Sequence, residues 1–294
     1  MTKELAKQII KRFDCLDNVT KEDEEEFIEA CNYLIEVEND NKIMAYLGGY
    51  YYEKRQYDLA EEYYLLADHN GNKWAAGGLG YIYYYGRNGV VDYSKAMKYF
   101  LKAKENGDLE ATMKIADMYH NGYGVEKDDD IYKSLLLDIY EKVKNSKDLF
   151  CPFPEVAHRL AEIYINEGRE DLALPLLNKG RDFITQRIRY NPFWGNFVIA
   201  KRIVTLQYKI VDFDESDIDF FDLLYFLQTP HRVKLTFRSK TYLIESYLEG
   251  EEIRVRCENK TYQYIDKFLR EHLFDNKHTY IIHYEEPYFL DVVD

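Results

Sequence analysis

The sequence predicts a mainly α-helical protein, an α/α helical-repeat solenoid followed by a small C-terminal α+β domain. Three observations indicate this fold. The sequence repeats itself at a step of 36 residues within 57–122. Apolar residues follow helical spacing along most of the chain as far as residue 230, and apolar and polar residues alternate after Pro230. Repeats of this length form stacked helical units, whereas a two-residue alternation is typical of half-exposed strands.

Composition argues against several classes of function. The 294 residues include 39 Lys+Arg and 53 Asp+Glu, which gives a formal net charge of -14. A general binder of nucleic acid or of anionic membranes needs a basic face, so we expect neither as a partner. Charges interrupt every apolar run, and the four scattered cysteines lack the spacing of a disulfide framework or a zinc site. We therefore expect a cytoplasmic protein with no signal peptide, membrane span or cofactor.

Residues 1–42 are predicted to cap the solenoid. Amphipathic helices are expected over 3–14 and 21–38, and Thr20 and Asp23 have the spacing of a capping box at the start of the second helix. A solenoid needs covered ends, because its terminal repeat would otherwise expose an apolar face.

Residues 43–181 are predicted to form four helical hairpins. In the first helix of each, a leucine-like residue precedes a small residue and, four positions after the leucine, a tyrosine. The instances are Leu47-Gly48-Tyr51, Leu79-Gly80-Tyr83, Ile115-Ala116-Tyr119 and Leu160-Ala161-Tyr164. Residues four apart share a helix face, and the small residue leaves room for a neighbouring helix. Asn-Gly pairs at 70–71 and 106–107 are predicted to end the second helices, because glycine is favoured just past a helix end.

The pattern resembles a known repeat family. Its residues are Ala75-x-x-x-Leu79-Gly80-x-x-Tyr83-x-x-Gly86, Gly89-Val90, Lys95-Ala96-x-x-Tyr99-x-x-x-Ala103, Gly107-Asp108-x-x-Ala111 and Ile115-x-x-x-Tyr119-x-x-Gly122-Tyr-Gly124-Val125. They resemble the Sel-one-like repeats, a subclass of tetratricopeptide-like α/α repeats. The match weakens over 129–181, where Ser134 and Glu141 replace the expected alanines. The resemblance implies a right-handed solenoid that serves as an adaptor or scaffold, without catalysis.

The same resemblance implies a groove lined by the first helix of each hairpin. The predicted partner-binding residues are Tyr52, Trp74, Tyr81, Tyr84, Asp117, His120, His158 and Glu162. Tyrosine and tryptophan supply rigid contact area, and acidic neighbours would favour a protein or peptide partner with a basic segment. The alternative is that these rings belong to the core of a chain with 29 tyrosines.

Residues 182–230 are predicted to add helices that close the solenoid. We expect helices over 193–210 and 217–228. The second is apolar nearly all round, which predicts that it is buried between neighbouring elements. Its apolar residues are Phe220, Phe221, Leu223, Leu224, Phe226 and Leu227.

Residues 231–294 are predicted to form a β-β-β-α-β domain. Val233, Leu235 and Phe237 alternate with polar residues, as expected for a strand with one buried face. Two more strands are expected around 242–248 and 253–257. A helix is predicted over 261–274 and a last strand over 279–284.

The sequence contains no motif that predicts catalysis. It has no P-loop, dinucleotide fingerprint, nucleophile elbow or zinc-protease motif. The run Asp128 to Asp130 could attract a cation, but a turn and helix start explain it better. We therefore expect a non-enzymatic interaction scaffold. The chief alternative is an immunity-type or inhibitor protein that neutralises an enzyme or toxin, and a weaker one is an enzyme in the C-terminal domain.

Overall fold

A computed structural model describes residues 1–216, 218–279, 282 and 288–293. The chain divides into two compact units, Met1–Leu135 and Leu136–Asp294. The first unit is helical, and the second combines helices with a sheet. The domain boundaries expected after residues 42, 181 and 230 stay predictions.

The first unit consists of consecutive helices that pack mainly against their neighbours in sequence. Its helices are α1 (Lys3–Phe13), α2 (Lys21–Glu38), α3 (Asn41–Glu53), α4 (Tyr57–His69), α5 (Ala75–Tyr85), α6 (Tyr93–Glu105) and α7 (Leu109–Asn121), followed by α8 (Asp129–Val143), which continues into the second unit. The hairpins predicted for the first two repeats are confirmed as α3–α4 and α5–α6. The capping box at Thr20 and Asp23 is present at the start of α2.

Glycines in the first helices accept aromatic rings from the second helices. A Cβ atom on Gly48 of α3 would lie 2.7 Å from the Tyr64 ring of α4, and one on Gly80 of α5 would clash with the Phe100 ring of α6. Phe100 is fully buried. Because only glycine leaves this space, the small residue of the sequence pattern sets how closely the two helices of a hairpin approach.

Asparagines connect successive hairpins at one end of the first unit. The Asn41 side chain donates to the carbonyl of Asn70 at 2.7 Å, and the Asn72 side chain donates to the carbonyl of Asn41 at 2.9 Å. The Asn72 side-chain oxygen also accepts from the backbone N–H groups of Trp74 and Ala75. These bonds fix the start of α5 relative to α3 and satisfy backbone groups at both helix ends.

The helices of the second unit are linked by arginine side chains. They are α9 (Phe153–Asn166), α10 (Glu170–Tyr190), α11 (Trp194–Gln207) and α12 (Leu223–Phe226). On α10, Arg187 donates to the carbonyls of Leu149 and Cys151 and to the carboxylate of Glu155. A buried guanidinium with this many acceptors holds the loop before α9 against α10.

The helix predicted over 217–228 is much shorter in the structure. Only α12 forms there, although the apolar side chains of the segment are buried as expected. The Asp219 side chain accepts from the backbone N–H groups of Phe221 and Asp222, and the Asp222 side chain accepts from the N–H of Asp219. These local bonds compete with helical ones and start the helix late.

A five-stranded antiparallel sheet has the strand order β4-β3-β2-β1-β7. Its strands are β1 (Arg232–Phe237), β2 (Lys240–Glu249), β3 (Glu252–Cys257), β4 (Lys260–Tyr262) and β7 (Tyr288–Val293). Val233, Leu235 and Phe237 are buried, which confirms the predicted alternation along β1. Helix α13 (Ile265–Glu271) contacts α11 and α12, while β5 (Leu273–Phe274) and β6 (Lys277–His278) form a separate hairpin.

Two predictions in this region need correction. The helix expected over 261–274 contracts to α13, because Tyr262 pairs with Val255 in the sheet and Phe274 pairs with Lys277. The strand expected over 279–284 lies largely outside the described residues. Thr279 and Ile282 are helical rather than extended.

Candidate functional site

An aromatic and charged surface, here termed the first-helix face, joins three first helices of the first unit. It comprises Tyr52 of α3, Tyr81, Tyr84 and Tyr85 of α5, and Lys114 and Asp117 of α7. These residues include four of the eight predicted partner-binding positions. Their side chains are linked across hairpins by cation–ring contacts.

Lys114 connects α7 to α5. Its Nζ lies 3.1 Å from the Tyr85 hydroxyl and 5.3 Å from the centroid of the Tyr84 ring. The same ammonium group lies 3.7 Å from a carboxylate oxygen of Asp117. A cation over a ring face is attracted by the ring quadrupole, so Lys114 holds the two tyrosines beside an acidic group.

Arg87 connects the α3 side of the face to α5. Its guanidinium carbon lies 5.2 Å from the ring centroid of Tyr85 and 5.5 Å from that of Tyr57. Tyr57 in turn packs edge-on against Tyr52, with centroids 5.4 Å apart. Burial raises the pKa of the Tyr52 hydroxyl, and a hydrogen bond with Arg87 partly offsets that effect.

Tyr81 and Tyr84 form the half-buried floor of the face. Both rings pack edge-on against the buried ring of Phe100, at centroid distances of 5.3 and 6.0 Å. Burial strongly raises the pKa of both hydroxyl groups, so both stay neutral at physiological pH. Tyr85, which is 46% exposed, stands above them and is open to a partner.

Trp74 is the most exposed aromatic residue at the predicted positions, at 71%. It precedes the first residue of α5, where its backbone N–H donates to Asn72. Trp74 lies seven residues before Tyr81, which places the two on the same side of α5 about two turns apart. A solvent-exposed indole of this kind buries a large apolar area when a partner binds.

The two α7 residues among the predicted positions have different environments. Asp117 belongs to the first-helix face through Lys114. His120 is exposed but is directed to α8, since its Nδ1 lies 2.8 Å from a carboxylate oxygen of Asp129 and its ring stacks on Tyr132 at 4.5 Å. The hydrogen bond from His120 lowers the pKa of Asp129.

His158 is not an exposed groove residue. It lies on α9 in the second unit and is only 2% exposed. Its Nε2 lies 3.3 Å from a guanidinium nitrogen of Arg159, and burial together with Arg159 and Arg202 lowers its pKa well below 6.5. The expectation failed because α11 packs against α9, whereas the repeat pattern assumes an uncovered first helix.

Glu162, one turn after His158, is exposed and lines a cleft of about 620 Å³ within the second unit. This cleft, here termed the α11 cleft, lies between α9 and α11. Its other polar walls come from α11 and the turn after it, from the end of α12 and from α13. The contributing side chains are Lys201, Arg202, Thr205, Lys209, Gln228 and Asp266.

Sequence reasoning missed several residues of the first-helix face and the cations of the α11 cleft. Tyr85 and Lys114 each lie one position from a residue that the repeat pattern selects, and Arg87 lies in the bend after Gly86. The sequence does contain a signal for the cations of the α11 cleft. Residues 183–211 contain five basic side chains and no acidic one, in a chain that is otherwise rich in carboxylates.

The described residues contain no group of three or more histidine, cysteine or acidic side chains placed to hold a metal ion. Within the same residues, no helix has the length and apolar character needed to cross a bilayer. On the sheet, Arg254 pairs with Glu249 and Glu252, and Arg256 pairs with Glu245.

The α-hairpins of the first unit share a small-residue pattern that is typical of tetratricopeptide-like helical repeats. Residues 44–71, 75–108 and 109–133 match the family model of the Sel1 repeat. These three segments of the chain are therefore Sel1 repeats, as the sequence pattern indicated.

Three known proteins are similar to this chain. An Arabidopsis thaliana protein, the ERAD-associated E3 ubiquitin-protein ligase component HRD3B, is 35% identical over 126 residues, which are 43% of this chain and 20% of that protein. The crystal structure of a protective antigen of uropathogenic Escherichia coli, which displays an SLR fold, has a TM-score of 0.50 at 20% identity and covers 71% of this chain and 47% of its own. The crystal structure of a Sel1 repeat protein from Oxalobacter formigenes has a TM-score of 0.49 at 17% identity. The match covers 77% of this chain and 83% of that one.

The chain thus spans about a fifth of the plant relative and about half of the bacterial antigen. Sel1-repeat proteins typically mediate protein–protein interaction, and proteins of this scaffold family are typically non-catalytic.

Proposed function

We propose that this protein is a non-enzymatic interaction scaffold that binds a protein or peptide partner on the first-helix face and Trp74. The observation that carries the proposal is the exposed aromatic surface of the Sel1 repeats, with Trp74 71% and Tyr85 46% exposed. Exposed tryptophan and tyrosine are typical of binding hot spots, because they bury large areas at low entropic cost.

The chemistry of the face suits an extended peptide. The rings of Tyr85 and Trp74 offer apolar contact, while Lys114 and Asp117 offer hydrogen bonds to a backbone. A basic side chain of the partner would approach Asp117 and compete with Lys114, whose 3.7 Å contact is long for an ion pair. The partner is therefore a peptide segment that combines an apolar anchor with a basic residue, and the cytoplasm is the proposed compartment.

The test is a peptide selection followed by affinity measurements. Peptides would be selected from a displayed random library against the full chain, and the affinity of a selected peptide would be measured by calorimetry. Trp74→Ala and Tyr85→Ala should each weaken binding by about tenfold or more, the size expected for a hot-spot residue.

The chain contains a matched control. Trp194, its other tryptophan, is 54% exposed on α11 in the second unit. Trp194→Ala removes the same side chain and should leave the affinity within about twofold, as expected for a residue outside the contact surface. Equal losses for the two tryptophan variants, or no loss for Trp74→Ala, would reject the first-helix face as the binding surface.

The net charge of -14 favours one further candidate, an inhibitor that covers a basic enzyme with its acidic surface. Such binding depends on many exposed charges, so its association rate should fall steeply as salt is added. A scaffold that grips apolar anchors should show a weak salt dependence. Measuring affinity at low and high ionic strength separates the two functions.

A further inference from the structure

The α11 cleft is lined by more cations than carboxylates. Lys201 and Arg202 on α11 and Lys209 in the turn after it all line the cleft. None of the three forms an ion pair with another residue in the described part of the chain. By contrast, other arginines of the second unit are matched with carboxylates, as Arg181 is with Asp219 and Asp222.

Their arrangement follows from helical spacing. Lys201 and Thr205 are four residues apart, and Lys209 follows after four more, so the three lie along one side of α11 and its extension. All three lie within the stretch 183–211, which contains no acidic residue. The positive charge on this wall comes from Lys201, Arg202 and Lys209, because Arg187 of the same stretch pairs with Glu155.

Hydrogen-bonding groups stand between the cations. The side-chain nitrogen of Gln228 donates to the Thr205 hydroxyl at 3.0 Å and to the carbonyl of Leu224 at 2.9 Å. This arrangement leaves the Thr205 hydroxyl hydrogen and the Gln228 side-chain oxygen for a ligand. The Thr205 hydroxyl and the ammonium groups of Lys201 and Lys209 together suit a carboxylate ligand. Hydrogen bonds to a charged group are stronger than those between neutral groups.

One wall of the cleft is formed by a buried histidine. His158 is buried, and its Nε2 accepts from Arg159 at 3.3 Å, so the ring carries its proton on Nδ1. Burial lowers the pKa of this histidine, and the positive groups Arg159 and Arg202 lower it further. The same positive potential would favour an anion in the cleft.

We propose that the α11 cleft binds an acidic segment of a polypeptide. Three cations that form no ion pair within the described residues supply the charge attraction. The cleft volume of about 620 Å³ lies within the range of about 300–1,000 Å³ that is typical of ligand sites. The site is distinct from the first-helix face, so it adds a second binding surface to the scaffold.

The two carboxylates of the cleft decide which anion fits. Glu162 and Asp266 lie among the cations and would repel a continuous run of phosphates. A peptide carries backbone N–H groups that Glu162, Asp266 and the Gln228 oxygen can accept, while its acidic side chains reach Lys201 and Lys209. Nucleic acid offers few donors of this kind along its backbone, so the observations favour a peptide.

The experiment uses the full chain and a fluorescein-labelled pentaglutamate peptide, with pentaglutamine as the uncharged comparison. Fluorescence anisotropy at physiological ionic strength, where the Debye length is about 8 Å, should show that pentaglutamate binds about tenfold or more tightly than pentaglutamine. The variant Lys201→Glu/Lys209→Glu should lose about tenfold or more of that affinity, because two attractions become repulsions.

A charge-matched control separates local from general attraction. Lys147 and Lys234 are exposed residues of the second unit that lie outside the cleft and have no ion pair in the described part of the chain. The variant Lys147→Glu/Lys234→Glu changes the net charge equally and should keep the affinity within about twofold, since distant charges are screened. Thermal melting by circular dichroism checks folding, and Lys201→Gln/Lys209→Gln replaces the reversal if that variant is unfolded.

Three results would overturn the proposal. Equal losses in the cleft and control variants would show that binding reflects net charge. Equal binding of pentaglutamate and pentaglutamine would remove the role of the cations. Displacement of the peptide by inorganic phosphate at the same concentration would indicate a simple anion site rather than a peptide site.

Discussion

The Sel1 hairpins and the helices of the second unit are held together by different interactions. In α3–α6, rings of Tyr64 and Phe100 fill the space above glycines, so the contact is apolar and recurs from hairpin to hairpin. In α9–α12, Arg187 and Arg181 bind carbonyls and carboxylates that are distant in sequence. A repeating apolar contact leaves a periodic signal in the sequence, whereas a buried polar network occurs once.

The difference also assigns separate roles to the two regions. Packing between α3, α5 and their partner helices leaves exposed rings on the first-helix face, where a partner can bury them. In the second unit α11 covers α9 and leaves a cleft lined by cations. The two surfaces therefore suit ligands of opposite character, an apolar and basic segment on one and an acidic segment on the other.

The largest effect is expected from breaking the polar network of the second unit. Arg181 lies 2.8 Å from Asp222 and 2.9 Å from Asp219, and Asp222 is only 4% exposed. Arg181→Met would leave a buried carboxylate without its cation, and should lower the free energy of unfolding by about 3–5 kcal/mol. Urea denaturation measures the change.

The matching control is an exposed ion pair of the same type. Arg169 contacts Asp171 at 3.1 Å, and both side chains are largely exposed. Arg169→Met should change the free energy of unfolding far less than Arg181→Met does, because solvent and salt screen such pairs. Comparable losses for the two methionine variants would contradict the claim that a buried network holds this region together.

A pH effect is expected from His272. This side chain is 1% exposed, its Nδ1 lies 2.8 Å from the Tyr262 hydroxyl, and burial, with a smaller effect of Lys260, lowers its pKa to about 4. Between pH 6.5 and 4 the unfolded chain takes up a proton here and the folded chain does not. Stability should therefore fall with decreasing pH, by about 3 kcal/mol over that interval.

The variant His272→Asn isolates this contribution. Asparagine keeps a polar group near the Tyr262 hydroxyl but does not titrate. The unfolding free energy of the variant, measured by urea titrations from pH 7 to pH 4, should decline less steeply than that of the parent chain. Parallel pH profiles for the two proteins would show that His272 titrates equally in the folded and unfolded states.

The packing of aromatic rings against glycines predicts opposite effects on stability for two glycine substitutions. Gly80→Ala places a methyl group against the buried Phe100 ring and should cost about 1–3 kcal/mol. At Gly49 of α3 the added methyl would meet only the Tyr64 hydroxyl, at 3.6 Å. Gly49→Ala should therefore stabilise by about 0.5–1 kcal/mol through helix propensity alone. Thermal and urea denaturation would detect this difference, and a stabilising Gly80→Ala would refute the packing role.

The smallest effect is expected at the N-terminal cap. The Thr20 hydroxyl accepts from the N–H of Asp23 at 3.2 Å, and the Asp23 carboxylate accepts from the N–H of Thr20 at 3.1 Å. Thr20→Ala should cost about 1 kcal/mol, while Thr20→Ser should keep nearly all of the stability because its hydroxyl preserves the bond. A serine variant as unstable as the alanine variant would rule out the hydrogen bond as the cause.

The repeat region could be predicted from the sequence because its contacts are local and recur. Gly80 and Phe100 belong to one hairpin, and Gly48 and Tyr64 repeat the arrangement in the hairpin before it. Alternation along β1 was equally visible, since Val233, Leu235 and Phe237 share one buried face.

The parts that could not be predicted depend on distant partners. The segment 217–228 has the composition of a helix, but the side chain of Asp219 bonds to its own backbone neighbours and Arg181 holds it from α10. Tyr262 lies in a segment whose apolar spacing predicts a helix, yet it pairs with Val255 in the sheet. In both places a tertiary contact overrides the local preference.

Tertiary contacts also limit how much of the candidate site could be predicted from the sequence. Tyr81, Tyr84 and Asp117 come together because the repeat pattern places first helices side by side. His158 satisfies the same pattern but is covered by α11, which the pattern does not include. The face itself depends on Lys114 and Arg87, whose positions over tyrosine rings follow from packing between hairpins.

Hydrogen–deuterium exchange of the chain with and without its selected peptide tests the central claim most directly. Binding on the first-helix face should slow amide exchange in α5 and α7 and around Trp74, and should leave the strands β1–β3 unchanged. Protection confined to the second unit, with no change in α5 or α7, would contradict the assignment of the Sel1 repeats as the partner-binding surface.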